Sequence, residues 1–286
     1  MNINTWKKLL AIALGMLLLG TACAFGEEAQ TLSADALNEA NALSALRKTY
    51  TSLLVDEIIQ MDDMTEQQTL WDGTTSDGRS LQVMLQTENQ RMIFVLDGTF
   101  YEYDLAEGTL YCCAWLPGSQ EAFAANWDAQ LQIFADELSF VLKDGNAAVA
   151  ELLTVGADGT VSESWQVDAE THALQGYTCE ARLTDENGTE SLERYILMVT
   201  YNAANYLTDD MLNTISDETF TLTLVDERGN KAQQQLPVNL PIRFTDGENH
   251  LLFFRDAAFE TPVDRLDPAA EDLTNGVTLY YSNKAE

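Results

Sequence analysis

The chain has 286 residues, 46 of them acidic and 15 basic, which gives a formal net charge of −31 at pH 7. Such an acidic surface excludes a nucleic-acid-binding role, because binding phosphates requires a basic patch. Apolar residues make up 46% of the chain, which argues against a disordered protein and fits one large β-rich domain or two smaller ones.

The first 24 residues have the layout of a secretory signal peptide. Lys7 and Lys8 give a positive start, residues 9–20 are apolar, and small residues follow. The apolar run is short for a membrane anchor, since a spanning helix needs about 20 apolar residues. We therefore predict that residues 1–24 direct export and that the remaining chain works at an extracytoplasmic location.

Two ways of processing this signal peptide remain open. Ala22, Cys23 and Ala24 fit the small-residue pattern of ordinary signal cleavage. Alternatively, Cys23 becomes the lipid-modified N-terminal cysteine of a lipoprotein and anchors the chain to a membrane. Gly20 stands where lipoproteins usually have a larger aliphatic residue, so simple secretion is the favoured prediction.

The next segment predicts a helix followed by a β-meander. Apolar residues at three-and-four spacing predict an amphipathic helix over residues 33–54, with Ser33 as its N-cap. Residues 81–116 alternate and turn as antiparallel strands do, with a tight turn at Asp97–Gly98. Residues 92–96 are apolar on both faces, which predicts an inner strand.

A second, longer helix is predicted after this meander. Its apolar residues repeat at helical spacing for about five turns. They are Phe123, Trp127, Leu131, Phe134, Leu138 and Val141. We interpret this aromatic stripe as packing onto the sheet and not as a cofactor site.

The rest of the chain is predicted to be β-rich in two parts. Alternating segments flanked by turn residues predict further strands, at residues 151–155, 161–167, 177–183, 192–201, 220–224 and 277–281. Four of the five prolines follow residue 236, so the C-terminal part of the chain differs in composition from the part before it. The predicted organisation is a signal peptide (1–24), a β domain with helices (30–207) and a β-rich C-terminal extension or small second domain (208–286).

The cysteines after the signal do not suggest a disulfide framework. Cys112, Cys113 and Cys179 are odd in number, although a pairing of Cys179 with one of the other two stays open in an exported protein. Adjacent residues of a strand point to opposite faces, so we expect one of Cys112 and Cys113 in the core and the other at the surface. Buried thiols acting as small apolar residues are the favoured state.

No catalytic or metal-binding motif is found. The chain lacks a Gly-x-Ser-x-Gly elbow, a phosphate-binding loop and metal-ligand spacing. His172 is interpreted as part of a surface turn and His250 as the start of a strand. We therefore predict a non-enzymatic protein without cofactor or metal; an exported hydrolase is the alternative if a histidine lies beside a carboxylate and a nucleophile.

Two short segments resemble the periplasmic lipoprotein-carrier (LolA-like) family. Residues 95–104, VLDGTFYEYD, are similar to that family's strand, Asp-Gly turn and aromatic strand. Residues 165–174, WQVDAETHAL, are similar to its late strand followed by an Asp-x-x-Thr turn. The resemblance covers residues 33–201. Arg79 stands near the family's cavity arginine, but Ser80 follows it where the family has proline.

The resemblance implies an α+β, mainly antiparallel fold: a curved half-barrel sheet covered by helices, with the β-rich extension added. It also implies an apolar cavity for a lipid-like ligand. The residues expected to line it are Arg79, Met92, Phe94, Leu96, Tyr195, Leu197 and Val199. An ordinary dry core is the rival interpretation. The predicted function is an exported carrier of an apolar or lipid-like ligand; the alternative is an envelope protein-interaction or sensor module with a filled core.

Overall fold

The computed structural model describes residues 29–62, 64–115, 131–143, 145–156, 159–184, 188–245 and 252–282. The predicted signal peptide with Cys23 lies outside the described residues. So do His250 and two residues of the second predicted helix, Phe123 and Trp127.

The described elements are strands with a few short helices. In chain order they are β1 (Gln30–Ser33), α1 (Ala34–Ala40), α2 (Leu43–Thr49), β2 (Ser52–Met61), β3 (Met64–Thr74), β4 (Ser80–Gln86), β5 (Arg91–Leu96), β6 (Thr99–Asp104), β7 (Thr109–Trp115), β8 (Glu137–Leu142), β9 (Ala147–Gly156), β10 (Gly159–Asp168), β11 (Leu174–Thr184), β12 (Glu190–Tyr201), α3 (Asp209–Asn213), β13 (Thr219–Val225), β14 (Lys231–Pro237), β15 (Ile242–Thr245), β16 (Leu252–Phe254), β17 (Arg265–Leu266), a 3-10 turn (Pro268–Ala270) and β18 (Val277–Ser282).

The chain divides into two compact units. Unit 1 holds the described residues up to Leu70 and those between Asp128 and Ala203; unit 2 holds those between Trp71 and Trp127 and those from Ala204 onward. β3 begins in unit 1 and ends in unit 2. The units divide the chain differently from the predicted segments 30–207 and 208–286. Residues after 203 share a unit with the meander because β15 pairs with β7.

Unit 1 contains strands in the order β1-β8-β9-β10-β11-β12-β2-β3. The pairs from β1 to β2 are antiparallel, and four of them join consecutive strands of the chain as hairpins. The register of β10 against β11 shifts between Gln166 and Val167. A bulge of this kind bends a strand and increases its twist.

The predicted first helix is two helices, and its last residues are strand. The Ser33 side chain caps α1 as predicted, accepting from the Ala36 N–H at 3.3 Å. Asn41 ends α1, and β2 begins at Ser52, so the prediction was wrong for residues 52–54. Leu53 and Val55 are buried while Leu54 between them is half-buried, which is the period of two that a strand shows. So few apolar residues also fit a helical spacing, and the sequence pattern therefore did not distinguish the two structures.

The predicted second helix is wrong over its described part. Residues 132–136 are irregular and β8 occupies residues 137–142. Leu138 and Phe140 are buried, with exposed Ser139 between them, so the burial period is two. Spacings of three and four residues between few apolar side chains did not distinguish this strand from a helix.

Unit 2 contains the predicted meander. β4, β5, β6 and β7 pair antiparallel, β15 adds to β7 in parallel, and β17 pairs with β15. A second sheet has the order β14-β13-β18-β16. The predicted turn at Asp97–Gly98 is confirmed: both residues have positive φ, 46° and 82°, as a type I′ hairpin turn requires.

The core of unit 2 lies around β5 and β7. All of Met92–Leu96 is buried, which confirms the predicted inner strand. Cys112 and Cys113 are both buried, at 0% and 3% exposure, so the expectation that one lies at the surface was wrong. β7 lies between β6 and β15 and is covered on both faces, as four successive buried residues show. No cysteine of the described residues forms a disulfide.

The fold is therefore mainly antiparallel β with few helices, as predicted, and among the described strands neither sheet closes on itself. Only β7–β15 and β13–β18 pair in parallel in the described part of the chain. No helix of the described ranges is long and apolar enough to cross a membrane.

Candidate functional site

The seven residues predicted to line a cavity are divided between the two units. Arg79, Met92, Phe94 and Leu96 belong to unit 2, whereas Tyr195, Leu197 and Val199 of β12 belong to unit 1. Their role in ligand binding stays a prediction.

The β5 residues are tightly packed in the core of unit 2. Met92, Phe94 and Leu96 are 5%, 0% and 4% exposed. Phe94 stacks on Tyr101 of the neighbouring strand with ring centroids 4.9 Å apart. This packing favours a filled core at β5 over an apolar cavity.

Arg79 is held by the turn before β4. Its Nε lies 2.8 Å from Asp77 Oδ2, and its backbone N–H donates to Thr75 Oγ1 at 2.9 Å. The Thr75 hydroxyl, and to a lesser degree the Arg79 guanidinium, lower the pKa of Asp77. The guanidinium thus has a local role in this turn.

The β12 residues lie on a face of unit 1 with a different chemistry. Leu197 and Val199 are buried, and Tyr195 is half-buried on the same side of the strand. The strand register places Glu163, Cys179, Tyr195 and Ile59 in one row across four strands. The next row contains Trp165, Tyr177, Leu197 and Glu57. We call Glu57, Glu163, Trp165, Tyr177, Cys179 and Tyr195 the aromatic–carboxyl face.

Two tyrosine–glutamate hydrogen bonds organise the aromatic–carboxyl face. The Tyr195 hydroxyl donates to Glu57 Oε1 at 2.5 Å, and the Tyr177 hydroxyl donates to Glu163 Oε1 at 2.7 Å. The Tyr177 ring lies 5.9 Å from the Tyr195 ring and 5.2 Å from the Trp165 ring. These centroid distances are typical of interacting aromatic side chains.

The two carboxyl groups of this face have no cationic partner among the residues that the structure describes. None of the ion pairs of the described residues includes Glu57 or Glu163. Burial raises the pKa of both carboxyls, and the tyrosine hydrogen bonds oppose this only in part. Burial, followed by the adjacent carboxylate, also raises the pKa of both tyrosines. The face therefore resists acquiring negative charge.

The thiol on this face is not set up as a nucleophile. Burial and the Glu163 carboxylate raise the pKa of Cys179 to about 11. A thiol with such a pKa is protonated near neutral pH, and the thiolate is the reactive form. The aromatic–carboxyl face can bind through apolar contact and neutral hydrogen bonds.

The two glutamates of this face were not among the residues predicted from the sequence. Glu57 follows the predicted helix of residues 33–54 and lies in a segment left unassigned, although Leu53, Val55, Ile59 and Met61 alternate around it. A lone acidic residue in an apolar alternating row is the signal that would have found it. Glu163 occupies the same kind of position between Val161 and Trp165 of β10.

The predicted Asp-x-x-Thr turn is present where β10 ends. Asp168 Oδ1 accepts from the N–H groups of Glu170 and Thr171 and from the Thr171 hydroxyl, at 2.8 to 3.0 Å. These bonds lower the pKa of Asp168. His172 follows with φ of 60°, so its predicted place in a turn is confirmed. Within the described ranges, no three His, Cys, Asp or Glu side chains converge as metal ligands do.

Comparison with known proteins gives only distant likenesses. No protein-family model matches the chain, and no curated protein matches it. A crystal structure of MucB shares 18% identity over 62% of this chain and 59% of that one, with a TM-score of 0.30. MucB in complex with MucA(peri) shares 15% identity over 63% and 59%, with a TM-score of 0.29. The MucA/MucB complex of Pseudomonas aeruginosa shares 16% identity over 62% and 57%, with a TM-score of 0.27.

The matched region thus spans about 59% of the length of the MucB structures. At these identities and TM-scores the likeness assigns neither a family nor a function to the chain.

Proposed function

We propose that this chain is an exported binding protein whose aromatic–carboxyl face holds a neutral amphiphilic ligand. The observation that carries the proposal is the pairing of Tyr195 with Glu57 and of Tyr177 with Glu163 on a half-buried aromatic surface. The proposed role is binding or carriage, without a catalytic step.

The apolar part of such a ligand would lie on the rings and on Leu197. Burying apolar surface contributes about 25 cal/mol per Å², so a chain of several methylene groups supplies most of the affinity. The polar end would exchange hydrogen bonds with the carboxyl and phenol groups. Each such bond contributes about 1 kcal/mol, which sets orientation more than strength.

The same chemistry restricts the ligand's headgroup. Within the described part of the chain, Glu57 and Glu163 have no cation to balance a second negative charge, so an anionic headgroup would meet both repulsion and desolvation. A hydroxyl or amide headgroup meets neither. This narrows the lipid-like ligand implied by the LolA-like resemblance to neutral amphiphiles.

A binding assay at pH 7 tests the proposal. The purified protein would be titrated with a fluorescent monoacylglycerol and, separately, with a fluorescent fatty acid of equal chain length. We expect binding of the monoacylglycerol and weaker binding of the fatty acid. Tyr195→Phe should weaken monoacylglycerol binding about fivefold, the equivalent of one hydrogen bond. Tyr103→Phe, on β6 of unit 2, is the matched control.

The proposal fails if neither lipid binds, or if Tyr195→Phe and Tyr103→Phe bind the monoacylglycerol equally. A preference for the fatty acid would contradict the headgroup argument specifically. Glu57→Gln gives a further check, because removing this carboxyl should improve fatty-acid binding.

Export of the chain is part of the proposal. It is supported by the signal layout of residues 1–24. Intact-mass spectrometry of protein from the native host should give a mature chain starting near Phe25. An acyl group on Cys23 would instead establish the lipid-anchored alternative, and a chain that keeps residues 1–24 would contradict cleavage of the signal.

A second candidate function is docking of an envelope protein, favoured by exposed apolar side chains at one end of unit 1. Leu153 and Val155 of β9 are 62% and 72% exposed, and Leu192 of β12 is 40% exposed. MucB has been crystallised with MucA, which is a property of that protein. A stoichiometric protein partner in a pull-down from envelope extract, lost in Leu153→Ser/Val155→Ser, would support this function; recovery without any partner would contradict it.

A further inference from the structure

A cleft of about 620 Å³ in unit 2 concentrates arginine in a chain that has little of it. Three of the chain's nine arginines line this cleft. We call it the arginine cleft; its polar lining residues are Glu107, Tyr111, Arg243, Arg255, Asp264 and Arg265. Its volume is within the range of about 300–1,000 Å³ that small-molecule sites occupy.

Arg243 is fixed in place at this cleft. Its guanidinium lies over the Tyr111 ring, 4.0 Å from the centroid, and forms an ion pair with Glu102. The Glu102 side chain is only 6% exposed, whereas that of Arg243 is 31% exposed. A buried carboxylate and an aromatic ring thus hold the guanidinium of a residue that lines the cleft.

Arg255 is similarly oriented. Glu271 accepts two hydrogen bonds from it, at 2.6 and 3.1 Å, and its side chain stays 44% exposed. Such a bidentate pair fixes the plane of the guanidinium. Two cleft arginines are thus positioned by other residues before any ligand arrives, which reduces the entropy cost of binding.

Arg265 and Asp264 are adjacent, exposed and opposite in charge. Neither has a side-chain hydrogen bond or ion pair within the described residues. Glu107 supplies a second carboxylate to the lining and accepts from the Tyr111 hydroxyl at 2.9 Å. The cleft therefore presents both an available cation and an available anion to one ligand.

The charge of the whole chain selects among possible ligands. A net charge of −31 repels multivalent anions at long range, and this penalty opposes a phosphate-type ligand. A zwitterion has no net charge and is not subject to it. Its carboxylate can pair with the arginine side and its ammonium with the carboxylates.

We propose that the arginine cleft binds a small zwitterion, an amino acid or a short peptide with free termini. The carboxylate would be held by Arg265 and the positioned Arg243, and the ammonium by Asp264. This site belongs to unit 2 and does not depend on the function proposed for the aromatic–carboxyl face of unit 1.

Isothermal titration of the full chain with Ala-Ala tests the inference. We expect saturable binding of Ala-Ala and no binding of inorganic phosphate. The C-terminal amide and the N-acetyl form of the dipeptide should each bind at least about tenfold more weakly, since each loses a charge-assisted pair.

Matched variants identify the residues. Arg265→Gln should weaken Ala-Ala binding about tenfold or more, whereas Arg228→Gln, an exposed arginine outside the cleft with the same charge change, should not. Asp264→Asn should abolish the discrimination between the free and the acetylated amino terminus. Because both cleft residues are exposed, we expect both variants to melt at the temperature of the parent.

Three results would overturn the inference. They are tighter binding of phosphate than of Ala-Ala, equal binding by Arg265→Gln and Arg228→Gln, and absence of any dipeptide binding to the folded parent. Tyr195→Phe separates this site from the proposed function, because it should leave Ala-Ala binding unchanged.

Discussion

The side-chain oxygen of Asn41 accepts a hydrogen bond from the backbone N–H of Leu174 at 2.7 Å, although the two residues are 133 positions apart in the chain. The amide nitrogen of the same side chain donates to the carbonyls of Leu37, at 2.8 Å, and His172, at 3.1 Å. Asn41 is 2% exposed. One buried amide therefore joins the end of α1 to the turn between β10 and β11.

Asn41→Ala should destabilise the protein by about 1–3 kcal/mol. The change leaves the buried Leu174 N–H without its acceptor, and each unsatisfied buried polar group costs about 1–3 kcal/mol. Chemical unfolding followed by circular dichroism measures this. Asn213→Ala, at an exposed position of α3, is the control and should change stability by less than about 0.5 kcal/mol. Equal midpoints for the two variants would contradict a structural role of Asn41.

The stability of the Glu57→Gln variant relative to the parent protein should increase as the pH rises. A carboxyl whose pKa is raised in the folded state contributes stability that is present at low pH and lost as pH rises through that raised pKa. Glutamine stays neutral and can still accept from the Tyr195 hydroxyl. The melting temperature of the variant minus that of the parent should therefore increase between pH 4 and pH 8.

Glu170→Gln is the control for this pH experiment. Glu170 is exposed in the turn after β10, and only its backbone N–H takes part in the turn's hydrogen bonds. Its stability difference from the parent should stay flat over the same range. A parallel rise in both variants would show that relief of the chain's overall negative charge, and not burial at Glu57, produces the effect.

Phe94→Ala should cost about 3–5 kcal/mol, the usual loss for removing a fully buried aromatic ring. Phe94 is 0% exposed and stacks on Tyr101. Phe134, which is 43% exposed, provides a control whose change to alanine should cost much less. If Phe94 lined an open cavity, the two losses of unfolding free energy would be similar.

Thiol labelling should separate Cys179 from the other two thiols. Cys112 and Cys113 are buried, and burial raises the pKa of Cys112, so native protein should protect both from iodoacetamide. Cys179 is half-buried with a pKa of about 11, so its labelling should be slow at pH 7.5 and accelerate as pH rises toward 10. Peptide mapping measures each rate, and fast labelling of Cys112 or Cys113 in native protein would contradict their burial.

The local order of the strands could be read from the sequence. The Asp97–Gly98 turn and the five apolar residues before it are short-range signals, and the structure has the hairpin and the inner strand that they predict. The same holds for β10 to β12, whose alternation and turns identify consecutive hairpins. In these hairpins, strands that are consecutive in the chain also pair with each other, so short-range sequence signals were sufficient to predict them.

Other features depended on contacts between distant residues. β8 was read as helix because few apolar residues fit both periods, and its pairing with β1 and β9 decides for a strand. Cys112 and Cys113 are both buried because both faces of β7 are covered, and β15, whose Ile242 lies 130 residues from its partner Cys112, occupies the second edge of the strand. The alternation of side chains within one strand does not show whether a distant segment of the chain pairs with that strand.

By itself, the sequence determined the acidic surface, the β-rich composition, the meander and the Asp168 turn, since each depends on residues a few positions apart. Only the tertiary structure decided that Glu57, Glu163, Tyr177 and Tyr195 share one face, and that Arg243, Arg255 and Arg265 line one cleft. Both groups are assembled from separate segments of the chain. Their chemistry arises from strand register and packing, which no single stretch of sequence contains.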